Sequence, residues 1–207
     1  MKRLIVFDMD GTLISGNSWS RLNKYFGVEE EALKFMNEYI KGYIGYCEFM
    51  RKTVKLWGEG VHISTIQAIL RQYEFSPGAA EVVSELHRQG HTTAIITVSL
   101  DILANEVASK LGIPYVIANG LEVDKSGYLT GGCTCRVELL RKDRALRELA
   151  DKLGFSLATC VAIGDSKYDR SILEAAGLGI AYKADPELKE VADVVINDLM
   201  EILKYLK

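Results

Sequence analysis

Short apolar runs closed by polar residues alternate along this chain with stretches whose apolar positions recur every three or four residues. The first run, RLIVFD, stops at acids, the pattern of a central strand covered on both faces. From about Ser15 to Tyr73 the spacing turns helical, in EEEALKFMNEYI, YCEFMRKTVKLW and STIQAILRQY, with glycine-containing breaks between them. Pro77 then opens the amphipathic stretch AAEVVSELHRQG, which closes at Gly90 and leads into the apolar strand TTAIIT. Beyond it the pattern predicts a helix over DILANEVASKLG, a strand at PYVIAN, and a satellite hairpin turning at DKSG between LEV and YLTG. A long charged helix from about Val137 to Leu153, the strand TCVAIG, a helix over YDRSILEAAG, strand segments LGIAY and ADVVI, and a closing helix at EILKYL complete the reading.

Strands that alternate with helices imply an α/β fold, a Rossmann-like, doubly wound parallel sheet with right-handed crossovers and helices on both faces. The helical insert is the one departure from that alternation. The expected organisation is therefore an α/β core over residues 1–14 and 76–207, with a small helical cap over residues 15–75 inserted after the first strand. Ligands in such sheets bind beyond the carboxyl ends of the strands, and an insert next to the first strand is placed to act as a lid.

Composition narrows the function. The 207 residues are 48% hydrophobic and 26% charged, the balance of a soluble globular chain with an ample core. A net charge of -3, with Lys and Arg scattered among acids, gives no footprint for nucleic acid. No apolar run approaches the roughly 18 residues of a membrane span, and the N-terminal run is too short for a signal-peptide core, so a cytoplasmic protein is expected. Cys47, Cys133, Cys135 and Cys160 lack zinc-site spacing and read as reduced thiols. His62, His87 and His91 fall outside every motif, and the insert's many aromatics suit the core of a small helical bundle.

Chemistry gathers where three strands should end. Asp8 and Asp10 follow the first strand, Thr97 ends TTAIIT, and Asp165 and Asp169 follow TCVAIG. Carboxylates brought to one sheet edge repel each other unless a cation compensates, and hard oxygen ligands favour Mg²⁺, which needs only one or two of them directly. In D-x-D, Asp8 and Asp10 share one side of an extended segment, and Gly11 permits a sharp departure from the strand.

FDMDGT, Thr97, Lys142 in LLRKDRAL, and GDSKYD (Gly164 to Asp169) together resemble the four motifs of the haloacid dehalogenase superfamily, in order and at compatible spacing. Over essentially its whole length the chain is most similar to the phosphoserine phosphatase branch. That resemblance implies a phosphomonoester hydrolase with an aspartyl-phosphate intermediate. Asp8 would be the nucleophile and Asp10 the acid and base, while Thr97 and Lys142 would bind phosphoryl oxygens. It also implies Mg²⁺ held by Asp8, Asp165 and the backbone carbonyl of Asp10, with Asp169 in support. The partner would be a small phosphorylated metabolite, and the protein a monomer or homodimer.

The substrate-choosing positions depart from that branch. Asn17 stands where its members carry Glu, nine residues after the nucleophile, and Thr53 where they carry Arg. Arg51 and Lys52 lie close enough that a register shift would supply the missing cation. Val98 and Ser99 replace two glycines, and Tyr168 an asparagine. Asn17, Arg51, Thr97, Val98 and Lys142 are thus the expected substrate contacts. O-phosphoserine is the single best candidate, beside sugar phosphates, phosphoglycolate and nucleoside monophosphates. A phosphotransferase or mutase reading, and a non-catalytic phosphate sensor, stand as alternatives from other classes.

Overall fold

At the centre of a seven-stranded sheet lies β1 (Leu4–Phe7), whose alternate side chains feed two cores: Ile5 and Phe7 on one face, Leu4 and Val6 on the other. The structure is a computed structural model describing residues 1–206. Its other strands are β2 (Thr92–Leu100), β3 (Tyr115–Val123), β4 (Leu129–Thr134), β5 (Cys160–Gly164), β6 (Leu178–Tyr182) and β7 (Val194–Ile196). The spatial order β4-β3-β2-β1-β5-β6-β7 is parallel throughout except for the β3–β4 hairpin. Chain order reverses direction between β1 and β5, so the crevice beyond their carboxyl ends is where such a fold binds ligands. In register, Phe7 pairs with Ile95 on β2 and with Ile163 on β5, so β1 and β5 end together while β2 runs on to Leu100 and carries Thr97 past the same edge.

The insert consists of α1 (Ser18–Phe26), α2 (Glu29–Ile40), α3 (Tyr46–Trp57) and α4 (Ile63–Leu70). Its two connections run side by side, where Ser15 N–H donates to Glu74 O and Ser76 N–H to Leu13 O, both at 2.9 Å. Helices α2 and α3 coincide with the predicted segments. Helix α1 was not among the predicted helices, although Asn17 caps it by accepting from Ser20 N–H at 2.9 Å and Gly27 ends it in the left-handed region. The insert shares its apolar interior with the sheet: Leu22, Val54, Trp57, Ile66 and Leu70 belong to the same buried cluster as Ile5, Phe7 and Ile95.

The remaining helices are α5 (Ala79–Arg88), α6 (Asp101–Leu111), α7 (Lys142–Leu153), α8 (Arg170–Ala175) and α9 (Pro186–Lys189). Three differences from the sequence pattern have physical causes. PYVIAN and LEV form one continuous strand, β3, which first pairs with β2 and then turns back through Asp124, whose Oδ1 accepts from Ser126 and Tyr128 N–H. Helix α7 starts at Lys142 rather than Val137. Asn119 holds the preceding backbone extended, its Oδ1 accepting from Arg136 and Val137 N–H at 2.7 and 2.9 Å. The closing EILKYL segment is tighter 3₁₀ helix, Leu199–Tyr205. Among the described residues no helix is long and apolar enough to cross a membrane.

Candidate active site

Asp8 is the residue after β1, and its backbone N–H donates to Ile163 O at 2.9 Å, which fixes it against the end of β5. Its carboxylate is only 7% exposed. Lys142, the first residue of α7 and 2% exposed, reaches in from the other side. Its Nζ donates to Asp8 Oδ1 at 2.7 Å and to Asp169 Oδ1 at 2.6 Å. Neighbouring Arg141 instead lies exposed and pairs with Asp143 at 3.1 Å. Asp169 is fully buried, and its second oxygen accepts from the backbone N–H of Asp165 and Ser166 at 3.2 and 3.1 Å and from Ser166 Oγ at 3.3 Å. Three residues from three different elements are thus locked into one charged network.

Charged groups buried this deeply persist only when paired. Burial pushes Asp8 well above the ordinary carboxylate range; Lys142 pulls it back, while Asp169 and Asp165 push it up again. Burial alone would depress Lys142, yet Asp169 and Asp8 outweigh it and hold its ammonium above the usual lysine range. Asp165 rises to about 7, from burial first and then from Asp169. Oxygens of Asp8, Asp165 and Asp169 lie within 4.8 Å of one another, a hard donor set in electrostatic surplus that suits a divalent cation such as Mg²⁺. The carboxylate of Asp10 is not part of that trio.

Asp10 has its own setting. Its Oδ2 accepts from Ser18 N–H at 2.7 Å, from Ser18 Oγ at 2.6 Å and from Ser99 Oγ at 2.9 Å. Its Oδ1 is buried with no hydrogen-bond partner among the described residues. Burial raises its pKa, opposed by the Ser18 and Ser99 hydrogen bonds. Ser18 did not stand out in the sequence, and Ser99 did so only as a departure from a glycine, though it lies two positions beyond Thr97 on β2. Gly11 between these acids is obligatory: it has φ +80°, and a Cβ there would overlap the Asp165 carboxylate.

A cavity of about 330 Å³ opens between the insert and the sheet edge. Asn17, Val98 and Tyr168 line it, each adjacent in the chain to a residue of the network or its supports. Thr97 is buried, its Oγ1 accepting from Ser99 N–H at 3.2 Å. Thr53 reaches the cavity wall, but Arg51 does not. Two residues apart on α3, they face opposite sides, so the expected contact of Arg51 is corrected: it lies exposed, and no register shift brings its cation inward. Glu29, unremarked in the sequence, is part of the wall, as are Trp19, Tyr46 and Phe49 from the insert's aromatics, most of which the sequence assigns to a bundle core.

Known proteins match this architecture across its length. The phosphoserine phosphatase of Methanocaldococcus jannaschii is 37% identical over 212 residues, spanning 100% of this chain and 98% of that protein. That of Idiomarina loihiensis is 33% identical, spanning 99% of this chain and 93% of the relative. Among solved structures, a substrate-bound phosphoserine phosphatase complex superposes with a TM-score of 0.85 at 35% identity, covering 100% of this chain and 99% of the other. A phospho-aspartyl intermediate analogue of phosphoserine phosphatase gives 0.84 at 36% identity with the same coverage. The family model for haloacid dehalogenase-like hydrolases matches residues 5–174, which hold the whole carboxylate network, and the chain belongs to that family.

Proposed function

We propose that this protein is a Mg²⁺-dependent phosphomonoester hydrolase in which Asp8 attacks phosphorus and transiently carries the phosphoryl group. One observation carries the reading: a buried carboxylate at the end of β1 is held in place by the Lys142 ammonium, which Asp169 in turn orients. Phosphoryl transfer asks for positioning and charge neutralisation more than for elaborate covalent chemistry. Lys142 supplies both, fixing the attacking oxygen and presenting positive charge to phosphoryl oxygens. A solved relative named as a phospho-aspartyl intermediate analogue supports Asp8 as the acceptor.

Asp10 serves as acid and then base. Burial keeps its proton to higher pH than an ordinary carboxylate, and its unpartnered Oδ1 is the atom free to carry and deliver it. Ser18 and Ser99 fix the other oxygen, so the proton is delivered from a defined position. Asp8, Asp165 and the backbone of Asp10 would hold Mg²⁺, with Asp169 in support. When bound, the ion neutralises charge on the phosphoryl oxygens and relieves the crowding of acids. Thr97 would add a hydroxyl for a phosphoryl oxygen. Residues 15–75 serve as a cap over a core formed by 1–14 and 76–207. The relatives' names make O-phosphoserine the reference ester among small phosphorylated metabolites.

Phosphate release across a panel of phosphomonoesters, with and without Mg²⁺, tests this. Asp8→Asn is expected to lose roughly 10⁴-fold or more in kcat, as removal of a nucleophile does. Undiminished release in that variant would overturn the mechanism.

A further inference from the structure

Resting on that phosphatase reading, we infer that the ester this site selects carries an apolar, ring-sized alcohol portion without a carboxylate, and not a small amino-acid zwitterion. The walls of the cavity decide it. Trp19, Met36, Tyr46, Phe49, Val98 and Tyr168 face a space of about 330 Å³, within the roughly 300–1,000 Å³ of small-molecule sites. Such a lining rewards apolar surface removed from water and little else.

Several polar atoms in these walls are already engaged by the protein itself, and none of those left over is a cation. Asn17 Oδ1 accepts from Ser20 N–H at 2.9 Å. The Thr53 hydroxyl donates to Phe49 O at 3.0 Å. Trp19 Nε1 donates to Val98 O at 3.2 Å, Asn23 Oδ1 accepts from Trp57 Nε1 at 2.9 Å, and the Tyr46 hydroxyl accepts from Asn119 Nδ2 at 3.1 Å. The one charged residue among the described wall residues is Glu29, an anion that stands exposed. A substrate carboxylate here would meet no cation and would lose its hydration without compensation, which is costly for an ionised group. An ammonium would gain from Glu29 little that water does not already give it.

Benzyl phosphate and O-phosphoserine, both primary alkyl esters, make the direct test on the Mg²⁺-loaded wild-type enzyme. The expected result is a kcat/KM for benzyl phosphate higher by roughly 100-fold, the scale on which apolar pockets discriminate. O-phosphoserine turned over equally well or better would overturn the inference while leaving the phosphatase reading in place. No Mg²⁺-dependent release from any ester, or full release in Asp8→Asn, would overturn that reading and this inference with it. Thr53→Arg, which sets a cation in the wall, is expected to narrow the ratio by roughly 10-fold or more, chiefly through a lower KM for O-phosphoserine. A ratio unmoved in a folded Thr53→Arg protein would count against the inference. The wild-type comparison decides the matter even if that variant fails to fold.

Discussion

At the floor of the site Asp8, Lys142 and Asp169 are charged, buried, and joined by hydrogen bonds of 2.6 and 2.7 Å, whereas the adjoining walls are mostly aromatic and aliphatic, with Glu29 the one charged residue among the described wall residues. Each floor residue is fixed by the others, so removing one leaves a buried charge behind. Each wall residue is held by packing, so removing one leaves space. Under the proposed function the difference separates two tasks: the floor would perform a reaction common to many esters, and the walls would choose among them. Substitutions should therefore fall into two kinetic classes, kcat effects from the floor and KM or substrate-order effects from the walls.

The largest effect that tests this division is expected from Lys142→Met. It keeps the side chain's bulk while stranding Asp8 and Asp169, and should lower kcat by roughly 10²–10³-fold and stability by about 3–5 kcal/mol. The pH dependence has a definite sign. Without Lys142 the folded-state Asp8 carboxyl holds its proton to higher pH than in the unfolded chain, because Lys142 is what pulls Asp8 down. Groups raised in this way lose their stabilising contribution as pH rises, so the variant's deficit should widen from pH 5 to pH 8 in chemical denaturation. A deficit that shrinks with rising pH would show that the network is not held by this ion pair.

A smaller effect of the other kind is expected from Phe49→Ala, which opens the wall where Phe49 stacks on Tyr39 at 5.8 Å. KM for an aryl-bearing ester should rise roughly 10-fold with kcat nearly unchanged, measured by initial rates of phosphate release. A fall in kcat with KM constant would break the division between floor and wall.

The smallest effect marks what lies outside both regions. His91 is buried at the start of β2, and its Nδ1 accepts from Arg3 N–H at 3.2 Å. Burial lowers its pKa, with the N-terminus and Arg3 adding to the effect, so the neutral ring contributes stability that is lost as pH falls below about 6.5. His91→Gln should flatten stability between pH 7 and pH 5 by less than about 1 kcal/mol, with turnover unchanged. Thermal unfolding at several pH values measures the first, and phosphate release the second.

The sheet and the floor were largely readable in the chain; of the walls, the positions Asn17, Thr53, Val98 and Tyr168 were readable and the apolar character of the whole was not. LIVF and CVAIG are too apolar and too short to be anything but buried strands, and the acids that close them mark where the strands end. Lys142 could not be told from its neighbours by spacing alone; its burial depends on α7 starting there, which depends on Asn119, 23 positions earlier. Ser18 was passed over, and the contact of Ser99 with Asp10 was not foreseen, because a serine beside a strand is ordinary until a buried carboxylate is known to face it. The wall combines α1, α2, α3, β2 and the loops before α7 and α8, so its apolar character exists only after folding. Arg51 shows the converse error, a cation at almost the right sequence position on the wrong side of its helix.

The helical segment and the sheet bury one continuous apolar cluster between them, with Leu22, Val54 and Ile66 packed into the same interior as Ile5 and Phe7. Divergence of this lineage is therefore confined to a particular route. A wholesale exchange of the segment for another would tear open the interior of the sheet and be purged as a folding failure. Single replacements facing the cavity leave that interior intact. Changes at cavity positions such as Asn17, Thr53, Val98 and Tyr168 can thus accumulate one residue at a time over an unchanged carboxylate network.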